Sequence, residues 1–93
     1  MNKEELDYNI KLCAFDLGID KKYVRPITKN ELVIDKEYDG NCRNSDKAIW
    51  KGDYFEYKRY KFGYCYIDKI KHYEDDDGYD VFVPVEVVDE VKN

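Results

Sequence analysis

Leu6, Ile10, Cys13 and Leu17 follow one another at intervals of four, three and four, the repeat of a single helix face. Asn2 stands three residues before Glu5, the spacing of a capping box, and Gly18 follows the last apolar position. The pattern therefore predicts a helix that opens at Asn2 and stops at Gly18. Asp20 can cap a short second turn from Lys21 to Val24, which Pro26 ends because the residue before a proline avoids helical backbone. Residues 1–26 thus read as a helical segment. AFDLGIDKKYV has the outline of a helix-turn-helix, but a second helix of about one turn cannot present enough side chains to a major groove. The expected role is a lid on a sheet.

From residue 32 the period changes to two. In KEYDGNCR, Tyr38, Gly40 and Cys42 alternate with Glu37, Asp39, Asn41 and Arg43. DKAIWK and DYFEYKRYKF flank Lys51, Gly52 and Asp53, a hairpin turn, and Gly63 separates the second of these from YCYIDKIKHY. Asp77 and Gly78 are a preferred pair for a two-residue turn with positive φ. Beyond them YDVFVPVEVV places Tyr79, Val81, Val83, Val85 and Val87 on one face. Pro84 falls on the other and has no amide hydrogen, so this strand is expected at an edge or to end there. Such an edge needs protection, from Pro84 itself or from a second copy, which makes a homodimer one expectation. The whole chain reads as a single α+β domain. Its N-terminal helix packs on a small antiparallel meander of four to five strands over residues 32–91, a sheet that could curl into a barrel-like form.

Composition narrows the function. At 93 residues the chain supports one modest core, and ten tyrosines, four phenylalanines and a tryptophan are too many for a disordered acidic tail. Nothing resembles a membrane span, and MNKEELDYNI lacks the pattern of a signal peptide, so a cytoplasmic protein is expected. Cys13, Cys42 and Cys65 are odd in number and widely spaced, which predicts reduced, mostly buried thiols rather than disulfides or a zinc site. The net charge of −5 is unevenly spread: residues 1–39 carry nine acids and seven bases, residues 40–73 four acids and eight bases, and residues 74–93 eight acids against Lys92 alone. A basic centre is followed by an acidic end.

Two stretches carry candidate chemistry. HYEDDDGYD holds Glu74, Asp75, Asp76, Asp77 and Asp80. Aligned on Gly78 as the glycine of a calcium loop, it puts Tyr73 and Pro84 at ligating positions, so no metal is expected. A hairpin turn accounts for the glycine but not for so many carboxylates. The second stretch, WKGDYFEYKRYKFGY, interleaves Trp50, Tyr54, Phe55, Tyr57, Tyr60, Phe62 and Tyr64 with Lys51, Lys58, Arg59 and Lys61, the parts from which base stacking and phosphate attraction are built. GNCRN adds Arg43, Asn41 and Asn44, which suit a phosphate or an internal ion pair with the acidic end equally well. His72 and Ser45 are the sole members of their kinds, and Cys65 would have to meet His72 along one strand, so no catalytic residue and no cofactor are expected.

The order GNCRN, AIW, YFEYKRYKFG and HYEDDDGYDVFVP, over residues 38–84, resembles small proteins encoded by phages and mobile elements of Gram-positive bacteria. The resemblance transfers no catalytic role. It implies a setting in a bacterial host cell, where such proteins often antagonise defences that include CRISPR nucleases and nucleotide signalling. Within it, the first expectation is an anti-CRISPR-like inhibitor: Glu74, Asp75, Asp76, Asp77 and Asp80 imitate phosphates and occupy the basic groove of a host protein or ribonucleoprotein complex. An alternative is a binder of a nucleotide or short nucleic acid through Arg43, Asn44, Trp50, Lys58, Arg59, Tyr60 and Lys61. A third is a protein interaction module that docks through Trp50 and the tyrosines.

Overall fold

The structure, a computed structural model, describes residues 1–41, 46–75 and 81–88. Helix α1 spans Lys3–Leu17 and is closed at both ends by the residues the pattern singles out. Asn2 accepts the Glu5 backbone N–H at 2.8 Å and donates its side-chain amide to the Glu5 carboxylate. Gly18 takes φ of 71°, a conformation open to glycine at little steric cost, and the N–H groups of Gly18 and Ile19 return to Phe15 and Ala14. Leu17 departs from expectation: it is exposed, and Ala14 joins Ile10 and Cys13 on the buried face.

The second turn is a single 3₁₀ turn, Lys21–Tyr23, capped by Asp20 through the Lys22 N–H. The helical segment does not run to Pro26. Val24–Pro26 is instead strand β1, because the residue before a proline is pushed toward extended backbone and a partner strand is available to pair with it. Strands β2 (Glu37–Asn41), β3 (Lys47–Trp50), β4 (Phe55–Lys61), β5 (Tyr64–His72) and β6 (Val81–Val87) complete the sheet. It has six strands rather than four to five, in the order β1-β6-β2-β3-β4-β5, with antiparallel neighbours. A two-pair parallel contact, Lys71 with Val81 and His72 with Phe82, brings β5 back to β6. That contact is too short to make a regular barrel.

β6 corrects the edge assignment drawn from Pro84. One flank of β6 pairs with β2, and the other pairs with β5 at its start and β1 at its end. Proline is tolerated inside this strand for a local reason. The Pro84 carbonyl accepts the Ile27 N–H at 2.8 Å, and in extended backbone the two polar groups of a residue point the same way. Its missing N–H therefore faces the seam where pairing to β5 has ended at Phe82 and pairing to β1 begins at Val85. No ladder bond is lost.

Both faces of β6 are covered. Val81, Val83 and Val85 pack with Ile10, Cys13 and Ala14 of α1 and with Val24 and Tyr73, while Phe82 enters a second cluster with Tyr38, Ala48, Trp50, Phe55, Tyr57 and Ile70. Gly40 permits the approach of β2 to β6: a Cβ there would lie 2.3 Å from the Val83 carbonyl oxygen and 2.6 Å from the Phe82 ring. Arg25 of β1 ties the flank together, pairing with Glu86 across the ladder and with Glu31 at 2.7 Å. Its guanidinium, with Thr28, holds the Glu31 carboxyl at about 2.

Candidate functional site

The β4–β5 hairpin outruns the strands beside it. β3 pairs with β4 only as far as Glu56, and β6 meets β5 only at Lys71 and His72, so the far half of the hairpin is a two-stranded ribbon without a neighbouring described strand. Phe62 and Gly63, with φ of 52° and 81°, form its tip, a turn with positive φ at both positions whose twist matches that of the paired strands. The register is Lys61 with Tyr64, Tyr60 with Cys65, Arg59 with Tyr66, Lys58 with Ile67 and Tyr57 with Asp68.

Side chains alternate along each strand, so this register sorts the ribbon into two faces. The inner face continues the core: Phe55 and Ile70, then Tyr57 and Asp68, then Arg59 and Tyr66, then Lys61 and Tyr64. The outer face carries Glu56, Lys58 and Tyr60 on β4 with Lys69, Ile67 and Cys65 on β5. Burial falls steeply outward. Phe55 is fully buried, whereas Tyr64 is 68% and Phe62 86% exposed, with Tyr60, Tyr66 and Ile67 also exposed. The Arg59 guanidinium lies 5.7 Å from the centre of the Tyr66 ring, and its Nε lies 3.0 Å from the Asp68 carboxylate. The Lys61 ammonium lies 5.5 Å from the Phe62 ring.

The basic and aromatic candidates are therefore only partly brought together. Arg59 and Lys61 share the inner face, whereas Lys58 and Tyr60 project from the outer one. Trp50 leaves the site altogether: it is buried, 4.8 Å from Phe55 between ring centres, and can serve neither a ligand nor a docking partner at the surface. Tryptophan is frequent among binding hot spots, which is why it reads as an anchor, but Trp50 lies on the core side of β3. Arg43 and Asn44 lie outside the described residues. Tyr66 and Ile67 belong to the exposed surface although the sequence reading passed over them. The signal for them is the turn at Phe62 and Gly63, which fixes which residues stand opposite Arg59 and Lys58.

Of the acidic candidates, Asp76, Asp77 and Asp80 lie outside the described residues, as does the turn expected at Asp77 and Gly78. Glu74 and Asp75 are exposed and engaged by Lys29, whose backbone N–H donates to Glu74 at 3.2 Å and whose ammonium pairs with Asp75 at 2.9 Å. Among the described residues no group of three or more His, Cys, Asp or Glu side chains is arranged to hold a metal ion.

His72 is wholly buried and satisfied at both nitrogens. Nε2–H donates to the Ile27 carbonyl at 2.9 Å, and Nδ1 accepts the Glu74 N–H at 3.0 Å, which assigns a neutral ring. Burial is the main force on it and pushes its pKa below the ordinary value. Tyr73 beside it is pushed up to about 12, chiefly by burial. Cys65 sits on the exposed ribbon, not in the core as expected of the thiols, and its parity places it on the opposite face of β5 from His72. Cys13 is buried, and its thiol is pushed up to about 11. Cys42 lies outside the described residues.

No described helix is long and apolar enough to cross a membrane. Comparison of the chain with protein-family models, with curated proteins and with solved structures returns no match.

Proposed function

We propose that this is a non-catalytic binding protein of the phage or mobile-element kind, acting in a bacterial cytoplasm, and that the inner face of the β4–β5 ribbon takes a nucleotide or a short single strand of nucleic acid. One observation carries the reading. Tyr64 and Tyr66 stand two residues apart on one strand, exposed, and each lies directly across from a cation, Lys61 and Arg59. Alternate residues of a strand are about 7 Å apart, which gives each ring its own base to stack on. Stacking contributes roughly 1–3 kcal/mol per base, and the cations supply the phosphate attraction. Because Asp68 already neutralises part of Arg59, Lys61 is the stronger phosphate partner.

The acidic end is the other candidate surface, as a phosphate mimic for a basic groove of a host protein or ribonucleoprotein complex. Lys29 engages both described carboxylates there, whereas Tyr64 and Tyr66 on the ribbon are exposed, Tyr66 beneath the Arg59 guanidinium. That difference favours the ribbon.

Anisotropy of short labelled single strands, titrated with the protein at low salt, tests the reading. Tyr64→Ala and Tyr66→Ala should each weaken binding by roughly ten- to a hundredfold, and Lys61→Gln should lower the salt slope by about one. Glu74→Gln with Asp75→Asn should leave it intact. An absence of saturable binding by the unaltered protein, to single strands and to mononucleotides alike, overturns the proposal.

A further inference from the structure

Among the described residues both edges of the ribbon lack a paired strand, and the two edges differ. On the β6 flank the Tyr73 N–H donates to the Phe82 carbonyl, so residues of the same parity on β5 turn their N–H and C=O away from β4. These are Cys65, Ile67 and Lys69, and β6 pairing does not reach them. On β4 the outward-turned residues past the β3 ladder are Lys58 and Tyr60. A lysine in the middle of an exposed edge is a common guard against strand addition. β4 has that guard, whereas the middle of the β5 edge is Ile67, 58% exposed, beside Cys65. Unpaired backbone next to exposed apolar side chains is a template for another strand.

We infer that the outer edge of β5 pairs antiparallel with β5 of a second copy of this chain. The sequence of the edge suits self-pairing. With the two-fold axis at Ile67, Ile67 faces Ile67 of the second copy, Cys65 faces Lys69 of the second copy, and Tyr66 faces Asp68 of the second copy. An axis at Tyr66 sets the two Tyr66 rings together and Cys65 against Ile67 of the second copy. Neither arrangement opposes like charges, whereas sliding the axis the other way would set Asp68 against Asp68 or Lys69 against Lys69. Antiparallel pairing also sends the two bodies to opposite ends of the seam, and the axis at Tyr66 stops the tip of the second copy short of Lys71 and His72, whose edge β6 occupies. The result is a four-stranded ribbon, β4-β5-β5-β4, with both inner faces on one side. This inference does not depend on what those faces bind, and it replaces the sequence expectation of a dimer through the last strand, whose flanks are both paired.

Solution mass across a concentration series is the test. The unaltered chain should approach twice its 11.2 kDa mass as concentration rises. Ile67→Pro removes only an N–H that points away from β4, so it should keep the far-ultraviolet spectrum while weakening dimerisation at least tenfold. Ile67→Lys, which sets two cations at or beside the axis, should do the same. Lys58→Pro on the β4 edge should leave the mass doubled. A chain that stays at its single mass at every concentration overturns the inference, as does a dimer insensitive to both Ile67 substitutions or one abolished by Lys58→Pro.

Discussion

Phe55 and Phe62 sit seven residues apart on the same hairpin and meet opposite fates. Phe55 is fully buried between Trp50 and Phe82, with ring centres 4.8 and 4.7 Å away, whereas Phe62 stands in water at the ribbon tip. Tyr57 and Tyr64 repeat the contrast on the inner face itself. Phe62 lies in the turn, but Tyr57 and Tyr64 share both residue type and face of the ribbon. What differs is whether other strands close over that face, as β2, β3 and β6 do around Phe55 and none of the described strands does past Asp68. Burial here is a property of neighbours, and an aromatic left without them near the end of a stiff hairpin is available for contact.

The contrast can be broken by mutation, most forcefully in the body. Phe82→Ala should cost about 3–5 kcal/mol in denaturant unfolding, because it empties the place where the inner cluster meets β6. Gly40→Ala should cost about 1–3 kcal/mol by the same measurement, since its methyl would strike the Val83 carbonyl as well as the Phe82 ring. Trimming Phe82 to Leu should not restore that loss, because the backbone collision remains.

Acid should act on the body in two stages. The folded pKa of His72 lies below the unfolded value of about 6.5, so its contribution is complete above that pH and is lost as pH falls through the folded value. The Glu31 carboxyl, held at about 2 against an ordinary 4.5, contributes above the ordinary value and is lost only between these two. Thermal midpoints should therefore begin to decline as pH falls below about 6.5, ahead of the decline set by Glu31, and His72→Gln should remove that first decline. The smallest effect belongs to the ribbon: Tyr60→Ser and Phe62→Ser should each change stability by no more than about 0.5 kcal/mol. If Phe62→Ser destabilised the fold as much as Phe82→Ala, the two regions would be one.

Much of this architecture is legible in the sequence where the cause is local. Asn2, Glu5 and Gly18 mark the ends of α1, and the glycines at 52 and 63 mark the β3–β4 and β4–β5 turns, because each acts through its own backbone. Long-range partners hide the rest. Val24–Pro26 carries no strand signal of its own and becomes one by pairing with Val85 and Val87. Pro84 reads as an edge because its tolerance depends on a seam between two other strands. Trp50 reads as an anchor because KAIWK does not say which face of the strand is covered. At the site, the alternation of aromatic and basic residues is visible in the sequence, but their division between two faces needs the register set at Phe62 and Gly63.

The position of β6 also sets the order in which this molecule can be assembled. β4 and β5 lie next to each other in the chain and can close as a hairpin within about 1–10 μs. β6 follows them, yet it supplies Val81, Val83 and Val85 to one cluster and Phe82 to the other, and it must find β1 and β2 far back along the chain. Long-range pairings of this kind slow folding, because the loops they close are costly before any contact repays them. A nascent chain that has reached residue 75 can already display the tyrosines of the ribbon, but one cluster still lacks Phe82 and the other Val81, Val83 and Val85. The strand that completes the body is the last to be made, and it belongs to both clusters.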